Sequence, residues 1–162
     1  METVKWGMAN KTLKIISGGQ TGVDRAALDA AMANNVSCGG WCPTGRKAED
    51  GRIPDQYSLT ELKNGGYRQR TIRNLKESDG TVIIYFERPS GGTRLTLDSC
   101  IEYQVPHLVI DGTNVAADQA AQQITAFIDD HEIEVLNVAG PRASGHADAY
   151  PYAFQVMSKA LE

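Results

Sequence analysis

Glycine recurs at three points where a short apolar run gives way to a helical pattern: Gly18-Gly19-Gln20-Thr21-Gly22, Gly91-Gly92-Thr93 and Gly140-Pro141-Arg142. Glycine lets a backbone turn sharply and approach a ligand closely. The helix that follows presents unpaired N–H groups and the positive end of its dipole. The chemistry such turns perform is the holding of an anion, a phosphate above all. One glycine turn is explained by geometry alone; three in one small domain favour an anion or nucleotide site. None is a complete fingerprint. Around Gly18, Ser17 stands where a dinucleotide-binding loop has its first glycine. Gly40 and Gly45 have the spacing of a P-loop, but Arg46 follows where lysine is required and Pro43 removes a backbone donor.

The segment from Gly45 to Gly51 puts two cations and two carboxylates into one irregular stretch. It reads either as a solvated surface turn or as a loop folded over the site. In the second reading Arg46 clamps a phosphate bidentately and Lys47 acts as a point charge. Glu49 or Asp50 then accepts hydrogen bonds from ligand hydroxyls or ring nitrogens. Arg68, Arg70 and Arg73 read as a solvated helix face. Asp24, three residues after Thr21, reads as the acidic member of a capping box. Arg25 either pairs with Asp29 one helical turn on or belongs to the site. Cys38 and Cys42 on one strand would stand about 13 Å apart, too far for a disulfide or a shared metal ion. Of the three histidines only His146 closely follows a glycine turn, and none has zinc-ligand spacing from a cysteine. No directly coordinated metal is expected, and no Ser-His-Asp or Cys-His signature is present.

The elements that must position these groups alternate along the chain. Leu13–Ile16 is a β-branched run suited to a buried strand, and Thr21 is placed to cap the helix carrying Val23, Ala26, Ala27, Ala30 and Ala31 on one face. Residues 36–41 form a weaker strand candidate, and residues 42–66 a long, glycine- and proline-broken loop of the kind that is usually functional. A helix is expected over 67–77 with Ile72 and Leu75 inward. The strongest strand is Thr81–Phe86, followed by a helix to about Tyr103 and a strand over 108–110. A helix from Asn114 buries Ala117, Ala121, Ile124 and Ile128. The last strand is 134–138, and a terminal helix turns Ala153, Val156, Met157 and Ala160 inward. This alternation predicts one α/β domain over residues 1–162, a Rossmann-like three-layer sandwich on a mostly parallel five-stranded sheet. Residues 1–11 are expected to be a flexible extension.

Composition bounds the function. The 162 residues suit a single core, and the 41% hydrophobic and 22% charged fractions are those of a globular chain. A formal charge of −4 gives no electrostatic footprint for nucleic acid or an anionic membrane. The longest apolar run, Val82–Phe86, is far short of the roughly 20 residues of a bilayer span. With no secretory pattern at the start and three cysteines without framework spacing, a cytoplasmic location is expected.

The run from Ser17 to Asp29 resembles the opening of the molybdenum carrier family. The resemblance continues through Gly40-Trp41-Cys42-Pro43-Thr44-Gly45-Arg46, Ala48-Glu49-Asp50-Gly51, Ile53-Pro54, Ser78–Thr81 and Gly91–Thr93, and closes with Asn137–Arg142 and Ser144. It implies binding of molybdenum cofactor, a phosphorylated pterin, as cargo. The last strand, its glycine turn and the helix with Tyr150-Pro151-Tyr152 are also similar to the first βα unit of the lysine decarboxylase-like proteins, which include the LONELY GUY-type phosphoribohydrolases. That similarity implies a circular permutation and a sheet order of 2-1-5-3-4. Those hydrolases carry Pro-Gly-Gly-x-Gly-Thr-x-x-Glu with a catalytic glutamate. Aligning Gly92-Thr93 on its Gly-Thr puts Thr96 at the glutamate position; Asp98 reaches it only if the glycine pair sets the alignment.

Residues and resemblance together predict a binding or carrier protein for a phosphorylated small molecule, with a homo-oligomer as a further expectation. The site is expected to use Gly18, Gly19, Gln20, Thr21, Gly22, Arg25, Arg46, Lys47, Glu49, Asp50, Gly91, Gly92, Thr93, Gly140, Arg142 and Ser144. A nucleoside-monophosphate hydrolase using Asp98 and a nucleotide-sensing interaction module are the alternatives.

Overall fold

Val82, Ile84, Leu136 and Val138 point to one side of the central sheet, while Thr81, Ile83 and Asn137 point to the other. That alternation sets the architecture of the computed structural model, which describes residues 12–162; the expected extension over 1–11 lies outside the described residues. Five strands form the sheet: β1 (Lys14–Ile16), β2 (Ser37–Gly39), β3 (Gly80–Tyr85), β4 (His107–Asp111) and β5 (Val135–Ala139). All adjacent pairs are parallel, and the order is β2-β1-β5-β3-β4. The last strand thus lies between the first and the third, as the permutation implies. In register, Ile15 pairs with Cys38 on one side and Leu136 on the other.

Among the described residues, five α-helices cover the sheet: α1 (Val23–Ala33), α2 (Tyr67–Lys76), α3 (Gly91–Glu102), α4 (Ala117–Asp130) and α5 (Ala149–Leu161). α1 packs on α5 and α5 on α4, while α2 packs on α3. The first layer seals the larger core. Ala26, Ala27, Ala30 and Ala31 are fully buried, and their small side chains let α1 lie close to α5 and the sheet. The second layer closes over a smaller apolar cluster of Leu75, Ile83 and Cys100. Around it Thr81, Thr96, Ser99 and Asn137 are buried too. This polar half of the interior opens toward the carboxyl edge.

The long loop over 42–66 is folded. It contains a two-residue antiparallel pair, Lys47–Ala48 with Gly51–Arg52, and a parallel one, Trp41–Cys42 with Thr60–Glu61. Cys42, Ala48, Ile53 and Tyr57 form a third cluster with Leu28 of α1. The loop therefore has a small core of its own.

The expected Thr21 cap of the first helix fails, and so does one of the two readings of Arg25. Its N-cap is Gly22, with no side-chain cap bond. Thr21 instead accepts from the Ala143 amide at 3.0 Å and donates to the Glu49 carboxylate. Gly22 has φ 82°, and a Cβ there would stand 2.4 Å from the Pro141 carbonyl oxygen. The turn must come this close because the Val23 amide bonds that carbonyl, and no side chain fits between. Arg25 pairs with Asp50 at 2.6 Å, not with Asp29. Asp29 instead accepts from Tyr57 at 2.7 Å and from Tyr150 at 2.5 Å.

Candidate functional site

The three central strands β1, β5 and β3 end at one cleft of about 420 Å³, a size that suits one small organic molecule. All three glycine turns reach it, through Gly18 and Gln20, Gly91, Gly92 and Thr93, and Gly140 and Arg142. A Cβ built at Gly91 or Gly92 meets nothing within 4 Å. At these two positions the glycine leaves open space at a helix start, where backbone amides have no intrahelical acceptor.

Charge collects here unevenly. Among the described residues, Arg68, Arg70, Arg88 and Arg142 line the cleft, against a single carboxylate, Asp24. In a chain of net charge −4, that is a local reversal of sign. Phe86 and His146 form part of the wall, their rings parallel with centroids 4.1 Å apart. His146 Nδ1 accepts the Asp148 amide at 3.1 Å, so the ring proton resides on Nε2 when the imidazole is neutral.

Arg70 departs from the expectation of a solvated helix face. It is 7% exposed. Its NH1 donates to the Gly18 carbonyl at 2.9 Å and lies 3.6 Å from Asp24 Oδ2. A Cβ at position 18 would fall 2.2 Å from that NH1, so Gly18 is the glycine that admits the arginine. Asp24 in turn is not a cap but part of the cleft floor. Burial pushes its carboxyl up to about 6, against the opposing pull of Arg70, the Gln20 backbone, Arg25 and the Gly18 backbone. It is a carboxyl poised to change charge near neutrality. The signal for this pair was weak: Tyr67, Arg70 and Asn74 fall on one helical stripe, and a polar stripe reads as exposed. Arg88, three residues past the end of β3, is the more legible of the cleft arginines absent from the expected set.

The residues expected in the long loop do something else. Arg46 donates to the carbonyls of Ile53 at 3.1 Å, Pro54 at 2.8 Å, Tyr57 at 3.0 Å and Leu59 at 3.4 Å. Its fork is consumed by the loop's own backbone, so it is a tether and not a phosphate clamp. Lys47 lies over the Tyr67 ring, 6.0 Å from its centroid. Glu49 accepts from Thr21, from the Ser144 hydroxyl at 2.5 Å and from the Ser144 amide at 3.2 Å, with Arg142 Nε at 3.6 Å. Those hydroxyl bonds, Ser144 first, hold its carboxyl below the usual carboxylate range. Asp50 is lowered chiefly by its bond from Arg25, whose NH2 also donates to the Gly19 carbonyl at 3.1 Å. Gln20 Oε1 accepts the Thr21 and Glu49 amides at 3.0 and 2.9 Å. Together Gly19, Thr21, Gly22, Arg25, Glu49, Asp50 and Ser144 staple the loop to the first and third glycine turns behind the cleft. They set its shape without lining it.

Thr96 lines the cleft, whereas Asp98 faces outward in an exposed ion pair with Arg94 at 3.0 Å. The loop thus follows the Gly-Thr alignment, and the hydrolases' glutamate has no carboxylate counterpart on α3 facing the cleft. Cys38, Cys42 and Cys100 are unpaired, and burial pushes their thiols up. Among the described residues, no group of three or more histidine, cysteine or carboxylate side chains is placed to hold a metal. No helix of them is long and apolar enough to cross a membrane.

Fold and site define a Rossmann-type α/β protein with an arginine-lined cleft at the carboxyl edge of a permuted parallel sheet. The chain belongs to the circularly permutated YpsA SLOG family, whose model matches residues 15–161. It is similar to the crystal structure of a protein from Syntrophus aciditrophicus named "Putative molybdenum carrier protein", at 43% identity and a TM-score of 0.89. That match covers 92% of this chain and 94% of the other. No curated protein matches.

Proposed function

We propose that this chain binds and carries a phosphorylated small molecule in the carboxyl-edge cleft. The observation that carries the reading is the concentration of four arginines around open glycine turns in a protein of net charge −4. The phosphate goes to the amides at Gly91 and Gly92, since that of Thr93 already donates to the Ser90 carbonyl at 3.1 Å, with Arg88 and Arg142 supplying the charge that helix ends provide only in part. The structural neighbour's name is that of a molybdenum carrier, and molybdenum cofactor, a phosphorylated pterin, is the molybdenum-bearing cargo we propose.

The test compares a nucleoside monophosphate with its nucleoside by calorimetry at fixed salt, beside mass spectrometry of ligand released from natively purified protein. A charge-assisted contact is worth about 1.5–3 kcal/mol, so the phosphorylated form should bind at least about tenfold more tightly. Released material should contain a phosphorylated heterocycle. Equal affinity for both forms removes the phosphate reading, and a pterin without molybdenum removes the cargo.

A further inference from the structure

The cleft's floor and walls differ in kind from its rim. The rim is cationic, but its lining also includes Tyr67, the stacked Phe86–His146 pair and the Asp24 carboxyl. A carboxylate has about four acceptor sites. At Asp24 the Gln20 and Gly18 backbones engage it. Arg70 comes no closer than 3.6 Å, because its NH1 is turned to the Gly18 carbonyl. Asn74, also on the lining, is committed elsewhere: it accepts the Trp41 amide at 2.8 Å and donates to the Trp41 carbonyl at 3.0 Å. Asp24 is therefore the acidic group through which the described lining can receive hydrogen-bond donors from a ligand.

Two carboxylate oxygens are best matched by two coplanar N–H donors side by side, and aromatic walls admit a flat ring. A ring amide N–H next to an exocyclic amine supplies that pair, as on the 2-amino-4-oxo edge shared by guanine and pterins. We propose that Asp24 recognises the 2-amino-4-oxopyrimidine edge of a phosphorylated fused heterocycle, selecting guanine- or pterin-type ligands over adenine-type ones. This rests on the phosphate-binding reading above and adds the identity of the ligand's other end. The carboxyl's position near its own titration midpoint also lets such a donor pair draw it into the ionised form.

The experiment measures dissociation constants of guanosine, inosine and adenosine monophosphates, of guanosine, and of neopterin monophosphate, with the wild-type chain and Asp24→Asn. The wild type should prefer guanosine monophosphate over inosine and adenosine monophosphates by roughly tenfold to hundredfold, the value of a good bidentate pair. The preference should collapse to within about threefold in Asp24→Asn, while the advantage over the nucleoside persists. Neopterin monophosphate tighter than guanosine monophosphate identifies a pterin source, and the reverse a nucleotide source; either supports the proposal. Equal affinity for the three nucleotides in the wild type overturns it, whatever the variant does, and points to recognition of the ribose diol. A preference that survives Asp24→Asn overturns it equally. If guanosine binds as well as its monophosphate while the base preference holds, the phosphate reading fails and the Asp24 reading stands.

Discussion

Arg46→Ala should loosen the long loop without touching the ligand. The guanidinium holds four carbonyls of residues 53–59 at 2.8–3.4 Å, and the side chain is 11% exposed. Hydrogen bonds to a charged donor contribute about 1.5–3 kcal/mol each, but they are not additive and some of the freed carbonyls can take water. Discounting the 3.4 Å contact and rehydration leaves a loss of about 3 kcal/mol. At about 2–4 °C per kcal/mol, melting should fall by about 6–12 °C if the loop unfolds with the domain. If it opens by itself, hydrogen exchange at the amides of residues 53–62 should accelerate by about a hundredfold or more instead. Arg46→Lys should recover little, because one ammonium cannot span four carbonyls. The measurements are calorimetry and amide exchange, beside phosphate-ligand affinity as a control. An unchanged melting point and unchanged exchange, together with a tenfold loss of affinity, would refute the tether and restore the clamp.

Other substitutions divide shape from chemistry. Gly92→Ala adds a Cβ into open space; melting should hold or rise slightly while a nucleoside monophosphate loses at least tenfold in affinity by calorimetry. Gly22→Ala forces φ 82° and a 2.4 Å contact with the Pro141 carbonyl. Strain of about 1–3 kcal/mol plus the clash should lower melting by more than about 4 °C. Glu49→Gln should weaken the joint with Thr21 and Ser144. Because folding lowers the Glu49 pKa from 4.5, its contribution is present above that value and is lost as pH falls through the folded one. The variant should melt earlier than wild type at pH 7, and the gap should shrink steadily as the pH falls below 4.5; a gap that does not shrink in acid would refute the assignment.

What the sequence determined by itself was the frame. Alternating apolar runs and amphipathic segments record the parallel sheet, because strands buried on both faces must be nearly continuous in Val, Ile and Leu. The three glycine turns record the cleft, because in such a sheet every strand-to-helix turn reaches the same edge. The position of β5 between β1 and β3 came from resemblance to a permuted relative, since periodicity carries no strand order. Only the tertiary structure decided the charged residues' duties. Arg46 and Arg70 look alike in sequence, as cations in polar surroundings, yet one spends its donors on a loop's backbone and the other is sealed over Gly18 beside Asp24. A guanidinium answers to whichever acceptors lie within about 3 Å. Those acceptors come from chain segments up to 52 residues away, so no local pattern can assign them.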